Sequence, residues 1–473
     1  MRISLPFLAR KSFVFPLLLA LLPLIFLQCG KTTQPLSENE DILTEEPATN
    51  TADPDNQEHQ EGQSTGDYPN ILFILADDLG LDPIPGYPIG GQKAFLPTLT
   101  QLANEGVRFT QAWSNPACTP TRASILTGKY GFRTGVLGVE QDNNIRPSER
   151  IIQQAMREQT DGVYRSSVIG KWHVTAGNFF EVPEAMGVDH YAGLFSGGVN
   201  DYNRWRFTTN GMTTTQNSYI TTALTDLALE WINSQEQPWF CWLAYNAPHS
   251  PFHLPPNDLH YQGNLASDEA SIDQNPLPYY LAMIESLDTE IGRLLSGLSS
   301  ATLENTLIVF MGDNGTPNGV VQSPYVSTKA KGSLYHGGVH VPLIVSGYGV
   351  ERQGEEEDAL VTAVDLYNTF LAAAGLSPED NLDSQSFWPL LNGASTGGRT
   401  FNYAEIASNR ANRSGYTISD GHHKYIHFNN GTEEFFDLDN DPSEDNNLLE
   451  QSLSSSAQNA LNTLQSKAAE IRQ

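Results

Sequence analysis

Four polar segments follow apolar runs in this chain, and together they hold the residue types that acid–base and anion chemistry requires. Asp77-Asp78 follows Ile71 to Ala76, and Gly312-Asp313-Asn314-Gly315 follows Leu307 to Met311. Gly170-Lys171-Trp172-His173 follows Ser166 to Ile169, and Asn246-Ala247-Pro248-His249 follows the aromatic run ending at Tyr245. Singly, each is ordinary, because an Asp after a strand commonly caps a helix or closes an Asx turn. Repeated four times, with carboxylates, an amide, a lysine and two histidines, the pattern argues for one composite site. Asp77, Asp78, Asp313 and Asn314 offer only oxygen donors, a set suited to a hard cation such as Ca²⁺ or Mg²⁺, and no Cys/His grouping has zinc spacing.

The segment Asn115 to Lys129 adds a possible nucleophile. Pro120 suits the first helical position and Gly128 the stop, which places Cys118 at a helix N-terminus where free N–H groups favour an anion. These residues alone leave open a thiolate nucleophile or an inert buried thiol. The other cysteines have separate explanations: Cys29 ends an apolar leader, and Cys241 lies in the apolar run Trp239 to Ala244, where a buried structural thiol is expected. Three cysteines so far apart make no disulfide framework.

The elements that would position these residues follow from the apolar pattern. Ile71 to Ala76, Trp239 to Tyr245, Leu307 to Met311 and Pro342 to Val345 have the length and continuity of strands buried on both faces. Helical spacing recurs over Thr98 to Glu105, Tyr219 to Ser234, Tyr279 to Leu298, and Val364 to Ala374, the last closed by Gly375. Strands alternating with helices predict an α/β domain with a large, mostly parallel sheet, in which ligands bind beyond the carboxyl ends of the strands. We assign it to residues 68–375, with a smaller α+β subdomain at 376–473 holding strands near Tyr416 to Ser419 and Lys424 to Phe428 and a closing helix from Ser455 to Ile471.

A family resemblance now becomes specific. CTPTR at Cys118 to Arg122 matches the sulfatase signature CxPxR, and ILADDLG (Ile74 to Gly80), GKWH (Gly170 to His173), APHSPF (Ala247 to Phe252), GDNG (Gly312 to Gly315) and FFDLDNDPSEDNNL (Phe435 to Leu448) occur in the family's order. One CxPxR is weak; the ordered set is strong. The chain therefore resembles the arylsulfatase-like sulfatases of the alkaline phosphatase superfamily, from about Tyr68 to its end.

The resemblance implies an alkaline-phosphatase-like sandwich and a Cys118 oxidised to formylglycine by a separate maturation enzyme. It implies Ca²⁺, ahead of Mg²⁺, held by Asp77, Asp78, Asp313 and Asn314, with residue 118 touching the ion. Arg122, Lys171, His173, His249 and Lys331 fall on catalytic or sulfate-binding positions, and Ser196 aligns loosely with a further sulfate contact. The implied reaction is hydrolysis of a sulfate ester to alcohol and inorganic sulfate, with His249 serving the leaving alcohol and His173 the release of sulfate.

One departure stands out. Where the family reads KGxxxEGGxRVP, this chain has His336 and His340 in place of the Glu and the Arg, a change that bears either on a structural ion pair or on the pocket wall. Two other readings compete: a phosphodiesterase or phosphonate monoester hydrolase of the same superfamily, and a surface protein that binds sulfated glycans without turnover. Trp205, Arg204, Arg206, His253, Arg413, His422 and His423 are candidates for lining a sugar pocket.

Composition and the chain start bound the setting. Asp and Glu total 55 against 26 Lys and Arg, a formal charge of -29 that argues against nucleic acid as a partner. Residues 1–29 read as an export signal, with Arg2, Arg10 and Lys11 before an apolar stretch from Phe13 to Leu27. The stretch stops just before Gln28-Cys29, a junction that resembles the lipid-attachment site of bacterial lipoproteins, although Gln28 stands where a small residue is usual and leaves simple secretion as the alternative. Residues 30–67 lack aromatics, hold Lys31 as their one Lys or Arg, and read as a disordered acidic linker. A periplasmic or cell-surface location follows as an expectation.

Overall fold

The computed structural model describes residues 68–140, 144–175, 182–380, 382–394, 397–409 and 412–473. The export segment, Cys29 and the acidic linker lie outside the described residues.

The centre is four parallel strands: β1 (Asn70–Ala76), β2 (Arg165–Lys171), β3 (Trp239–Ala244) and β4 (Thr306–Gly312), in the spatial order β4-β1-β3-β2. Their apolar runs are continuous because both faces are covered. Ile71, Phe73 and Leu75 enter one core cluster, while Leu72, Ile74 and Ala76 enter a second on the opposite face. Ten strands make up the sheet. Beyond β2, His190–Leu194 continues in parallel, followed by antiparallel Trp205–Thr209 and Met212–Gln216. Beyond β4 lie Leu343–Gly347, Gly106–Phe109 and Glu355–Glu357.

The strand expected from Pro342 begins one residue later and runs antiparallel to β4. Pro342 has no N–H to give the ladder, and only its carbonyl takes part, accepting from the Gly312 N–H at 3.1 Å. The helix expected over Val364 to Ala374 opens as a 3₁₀ turn, Ala363–Asp365, before Leu366–Ala373, with Thr362 and Asp365 closing a capping box.

Two helices matter for the site. Helix α1 (Cys118–Thr127) is buried along its whole length, and α2 (Leu277–Ser296) packs against the opposite face, where the Tyr280 hydroxyl donates to the Asp78 carbonyl at 2.8 Å. Helix α1 starts at Cys118 rather than near Pro120. Pro120 fits as its third residue because first-turn N–H groups have no intrahelical acceptor to lose. Gly128 closes it in the left-handed region at φ 65, as its composition suggested.

The C-terminal subdomain is a meander of β5 (Asn402–Ile406), β6 (Gly415–Ser419), β7 (His423–Phe428) and β8 (Glu433–Asp437), all antiparallel. Helix α3 (Ser455–Ile471), capped by Ser454, lays Leu461, Leu464 and Ala468 on this sheet. Tyr130 and Val364 from the larger domain join the same apolar cluster, so subdomain and domain share one seam.

Candidate active site

Register brings the polar segments together. Ala76 pairs with Gly312, and Ala244 pairs with both Leu75 and Gly170, so the four central strands end at nearly the same level. The side chains that follow them meet at one sheet edge.

Asp77 accepts from Lys171 Nζ at 2.7 Å, and Asp78 from Lys331 Nζ at 2.5 Å. Asp313 accepts from Arg122 Nε and a terminal guanidinium nitrogen at 3.2 and 2.9 Å, and from the Asp78 N–H at 2.9 Å. Arg122 also donates to the Lys171 carbonyl at 2.8 Å, which ties α1 to β2. Asn314 Nδ2 donates to Asp78 Oδ1 at 2.9 Å, and His249 Nε2 lies 3.7 Å from Asp78 Oδ2. Cys118 Sγ lies 3.2 Å from His173 Nδ1, with Thr119 Oγ1 on the same nitrogen at 3.3 Å. All ten positions named for catalysis or metal binding thus fall in one cluster.

Two members sit in a strained backbone region: Asp78 at φ 68 and His173 at φ 52. Non-glycine residues there cost on the order of 1–3 kcal/mol and persist where their surroundings over-determine them. Asp78 is held by Lys331, Asn314, the Asp313 carboxylate on its N–H and Tyr280 on its carbonyl.

The charges are packed closely enough to perturb one another. Burial would raise Asp78, but Lys331, then His249 and Lys171, outweigh it and hold the carboxyl near 2. Asp313 goes the other way: burial and the adjacent Asp77 push it up to about 6 against Arg122 and Lys171. Burial, then Lys171 and Arg122, hold His173 well below the ordinary histidine range, so its imidazole is a neutral proton acceptor. Burial disfavours the Lys331 ammonium, yet Asp78 dominates and raises it.

The donor set fits a hard cation. Asp77 Oδ1 and Asn314 Oδ1 are buried acceptors without a hydrogen-bond donor, the arrangement an oxygen-ligated ion would satisfy. Ligand atoms of Asp77, Asp313 and Cys118 lie within 4.8 Å of one another.

A cleft of about 510 Å³ opens over Cys118, His173, His249 and Lys331. Of the seven sugar-pocket candidates only Arg413 lines it. Trp205 is core, donating to the Ser218 carbonyl, and Arg204 and Arg206 are on the surface. His253 packs at a tilt against Tyr202, His422 pairs with Asp439, and His423 stacks on Phe435. Ser196 is exposed and turned back on its own loop, donating to the Gly198 carbonyl at 2.9 Å.

The next two residues were missed by sequence reading. A Cβ on Gly197 would lie 2.4 Å from His173 Cε1 and Nε2, and one on Gly198 3.1 Å from His249 Cε1. This loop is therefore pressed on both imidazoles, and the Gly-Gly pair after the Phe195 to Ser196 stretch was the one signal of it. Displacing a catalytic group by about 1 Å can cost ~100-fold in rate. Gly197→Ala should lower kcat by roughly 10- to 100-fold with an almost unchanged melting temperature; wild-type kcat in that variant would refute the packing role.

His336 and His340 take no part in the cleft wall. Both are buried beside Trp113, with His340 Nε2 on the Thr110 carbonyl at 2.7 Å and the His336 N–H on Glu444 Oε2 at 2.6 Å. Glu444 makes a buried ion pair with Lys424 at 2.7 Å, and the Lys424 ammonium lies 4.9 Å from the Trp113 ring centre. An ion pair thus stands beside the two histidines, supplied from the C-terminal subdomain.

Comparison with known proteins supplies the family. A family model described as Sulfatase matches residues 69–376, and one for the C-terminal region of N-sulphoglucosamine sulphohydrolase matches residues 329–472. The chain is 30% identical to the uncharacterized sulfatase YdeN of Escherichia coli K12, over 69% of this chain and 67% of that one. It is 26% identical to the ulvan-active sulfatase of Formosa agariphila, over 85% and 81%. Its fold is similar to that of crystalline Ps i-CgsB in complex with k-i-k-neocarrahexaose, at a TM-score of 0.72 and 27% identity over 86% of this chain and 94% of that one.

Proposed function

The chain belongs to the sulfatase family and is a sulfuric ester hydrolase, and from that premise we propose that it desulfates sulfated saccharides with residue 118 in the formylglycine form. The observation that carries this reading is Cys118 at the head of α1, 3.2 Å from His173 Nδ1 and beside the Arg122–Lys171–Lys331 cluster. A hydrated aldehyde there supplies two hydroxyls on one carbon, one to attack sulfur and one whose deprotonation releases sulfate. Calcium on Asp77, Asp78, Asp313, Asn314 and residue 118 would supply a fixed positive charge against the sulfate oxygens.

The remaining work falls to the chain's own side chains. Arg122, Lys171 and Lys331 bind and orient the sulfate oxygens and stabilise charge developing on them. His249 gives a proton to the leaving alcohol oxygen, and neutral His173 takes the proton from residue 118. The cationic groups also explain how a chain with a charge of -29 admits an anion. Saccharide substrates are supported by the relatives above, one named for ulvan and one solved with a neocarrahexaose.

The test is sulfate release from a panel of sulfated saccharides, run beside aryl sulfate and aryl phosphate esters. Faster hydrolysis of the phosphate ester would favour the phosphodiesterase reading, and binding without release by matured protein would favour the glycan-binding one.

The proposal extends to the chain start and to the division of the chain. Residues 1–29 export the protein, 30–67 tether it, 68–375 carry catalysis and 376–473 form the subdomain. Lipid on Cys29 would hold it at the cell surface, and stable attachment takes more than one acyl chain. Detergent-phase partitioning should vanish in Cys29→Ala; equal partitioning would rule the anchor out.

A further inference from the structure

Lys331 lines the cleft beside Cys118, Arg122 and Lys171 are buried, and all three are paired with carboxylates. Arg122 pairs with Asp313 at 2.9 Å, Lys171 with Asp77 at 2.7 Å and Lys331 with Asp78 at 2.5 Å. Arg413 differs. It lines the same cleft with Ile406, Ser408 and Asn409, exposed, with no carboxylate in ion-pair contact among the described residues. Most cleft-remote arginines of this acidic chain do have such a partner, among them Arg133 with Asp383, Arg399 with Asp365 and Arg472 with Glu405.

Space and position add to the charge. At about 510 Å³ the cleft has the volume of a site for a ligand much larger than one sulfate, within the ~300–1,000 Å³ usual for such sites. Arg413 also lines a neighbouring cleft of about 270 Å³ with Lys329, Tyr335 and Phe428, so it sits where the two adjoin. In that second cleft the lysine is already committed, Lys329 Nζ lying 3.0 Å from Asp445. Among the described residues lining the two clefts, Arg413 is therefore the cation left to meet a group on the substrate that is not the scissile sulfate.

Resting on the sulfatase reading of the same site, we infer that Arg413 is a specificity residue that recognises a second oxyanion, a sulfate ester or a carboxylate, on the sugar next to the one being desulfated. The substrate is then a polyanionic saccharide of at least two residues, running from Cys118 past Arg413. A planar guanidinium suits either oxyanion, since both present paired oxygens to its parallel N–H groups.

The experiment uses the full chain with formylglycine verified by mass spectrometry and follows aryl sulfate hydrolysis. Competitors are three disaccharides with the same sulfated residue and a neighbour bearing a sulfate, a carboxylate or neither. Inhibition by an anionic-neighbour disaccharide should be roughly 10- to 100-fold stronger than by the neutral one, the range of one hydrogen-bonded contact to a charged group. Which anionic neighbour inhibits best identifies the oxyanion. Arg413→Gln should collapse the preference to below about 3-fold and Arg413→Lys should restore part of it, since a lysine keeps the charge but not the fork. Equal inhibition by all three, or a preference intact in Arg413→Gln, overturns the assignment while leaving the sulfatase reading standing. Absence of aryl sulfate hydrolysis by the verified wild type overturns that reading, and this one with it.

Discussion

Cys118→Ala should fold as the wild type does and lose sulfate-ester turnover by on the order of 10⁴-fold or more, because the nucleophile is gone while the anion-binding groups remain. The side chain is small and His173 is its hydrogen-bond partner among the described residues, so little packing is lost. Cys118→Ser should be similarly inactive, since a single hydroxyl cannot both attack sulfur and later expel sulfate. Protein made without a maturation enzyme should carry an unmodified thiol at 118 and be as inactive as the variants. Peptide mass spectrometry on active and inactive preparations is decisive: full activity with residue 118 entirely as cysteine would sink the formylglycine mechanism.

Removing the charge of Asp313 should be almost as severe. Its carboxylate anchors Arg122 through two hydrogen bonds and orders the Asp78 backbone, so one residue supports both the oxygens proposed to hold the cation and the guanidinium proposed to bind sulfate. Asp313→Ala would leave Arg122 buried with its hydrogen-bonded partner gone and only Asp77, 4.0 Å away, as counter-charge, costing on the order of 3 kcal/mol of stability. Asp313→Asn keeps the shape and is the cleaner probe. Elemental analysis should find one calcium per wild-type chain and close to none in Asp313→Asn. Adding Ca²⁺ to stripped wild type should raise its melting temperature, since a ligand at 100 times its Kd stabilises by about 2.7 kcal/mol, and the variant should lose that rise. Zinc in the wild type, or full activity after exhaustive chelation, would contradict the oxygen-donor site.

Much of this protein can be read before any coordinates. The continuous apolar runs at Ile71 to Ala76 and Leu307 to Met311 record burial on both faces, because each side chain must match the layer it enters. The closing helix from Ser455 to Ile471 was legible to the residue, since Ser454 is a strong cap and the pattern has one apolar stripe. CTPTR, GKWH and GDNG named the chemistry because their residue types are fixed by what they must hold.

Tertiary structure alone decided the rest. Asp78 and Asp313 stand 235 residues apart, and their contact depends on β1 and β4 being neighbours in register, which no local pattern encodes. Arg413 separates from six similar decoys only when the β5–β6 connection brings it over the cleft. His336 and His340 prove to be seam residues because Lys424 and Glu444 arrive beside them from the subdomain. Gly197 and Gly198 look like a turn until His173 and His249 are found against them. Sequence periodicity reports how buried a residue is. Which residues share a site is set by strand order and by crossovers that span hundreds of residues.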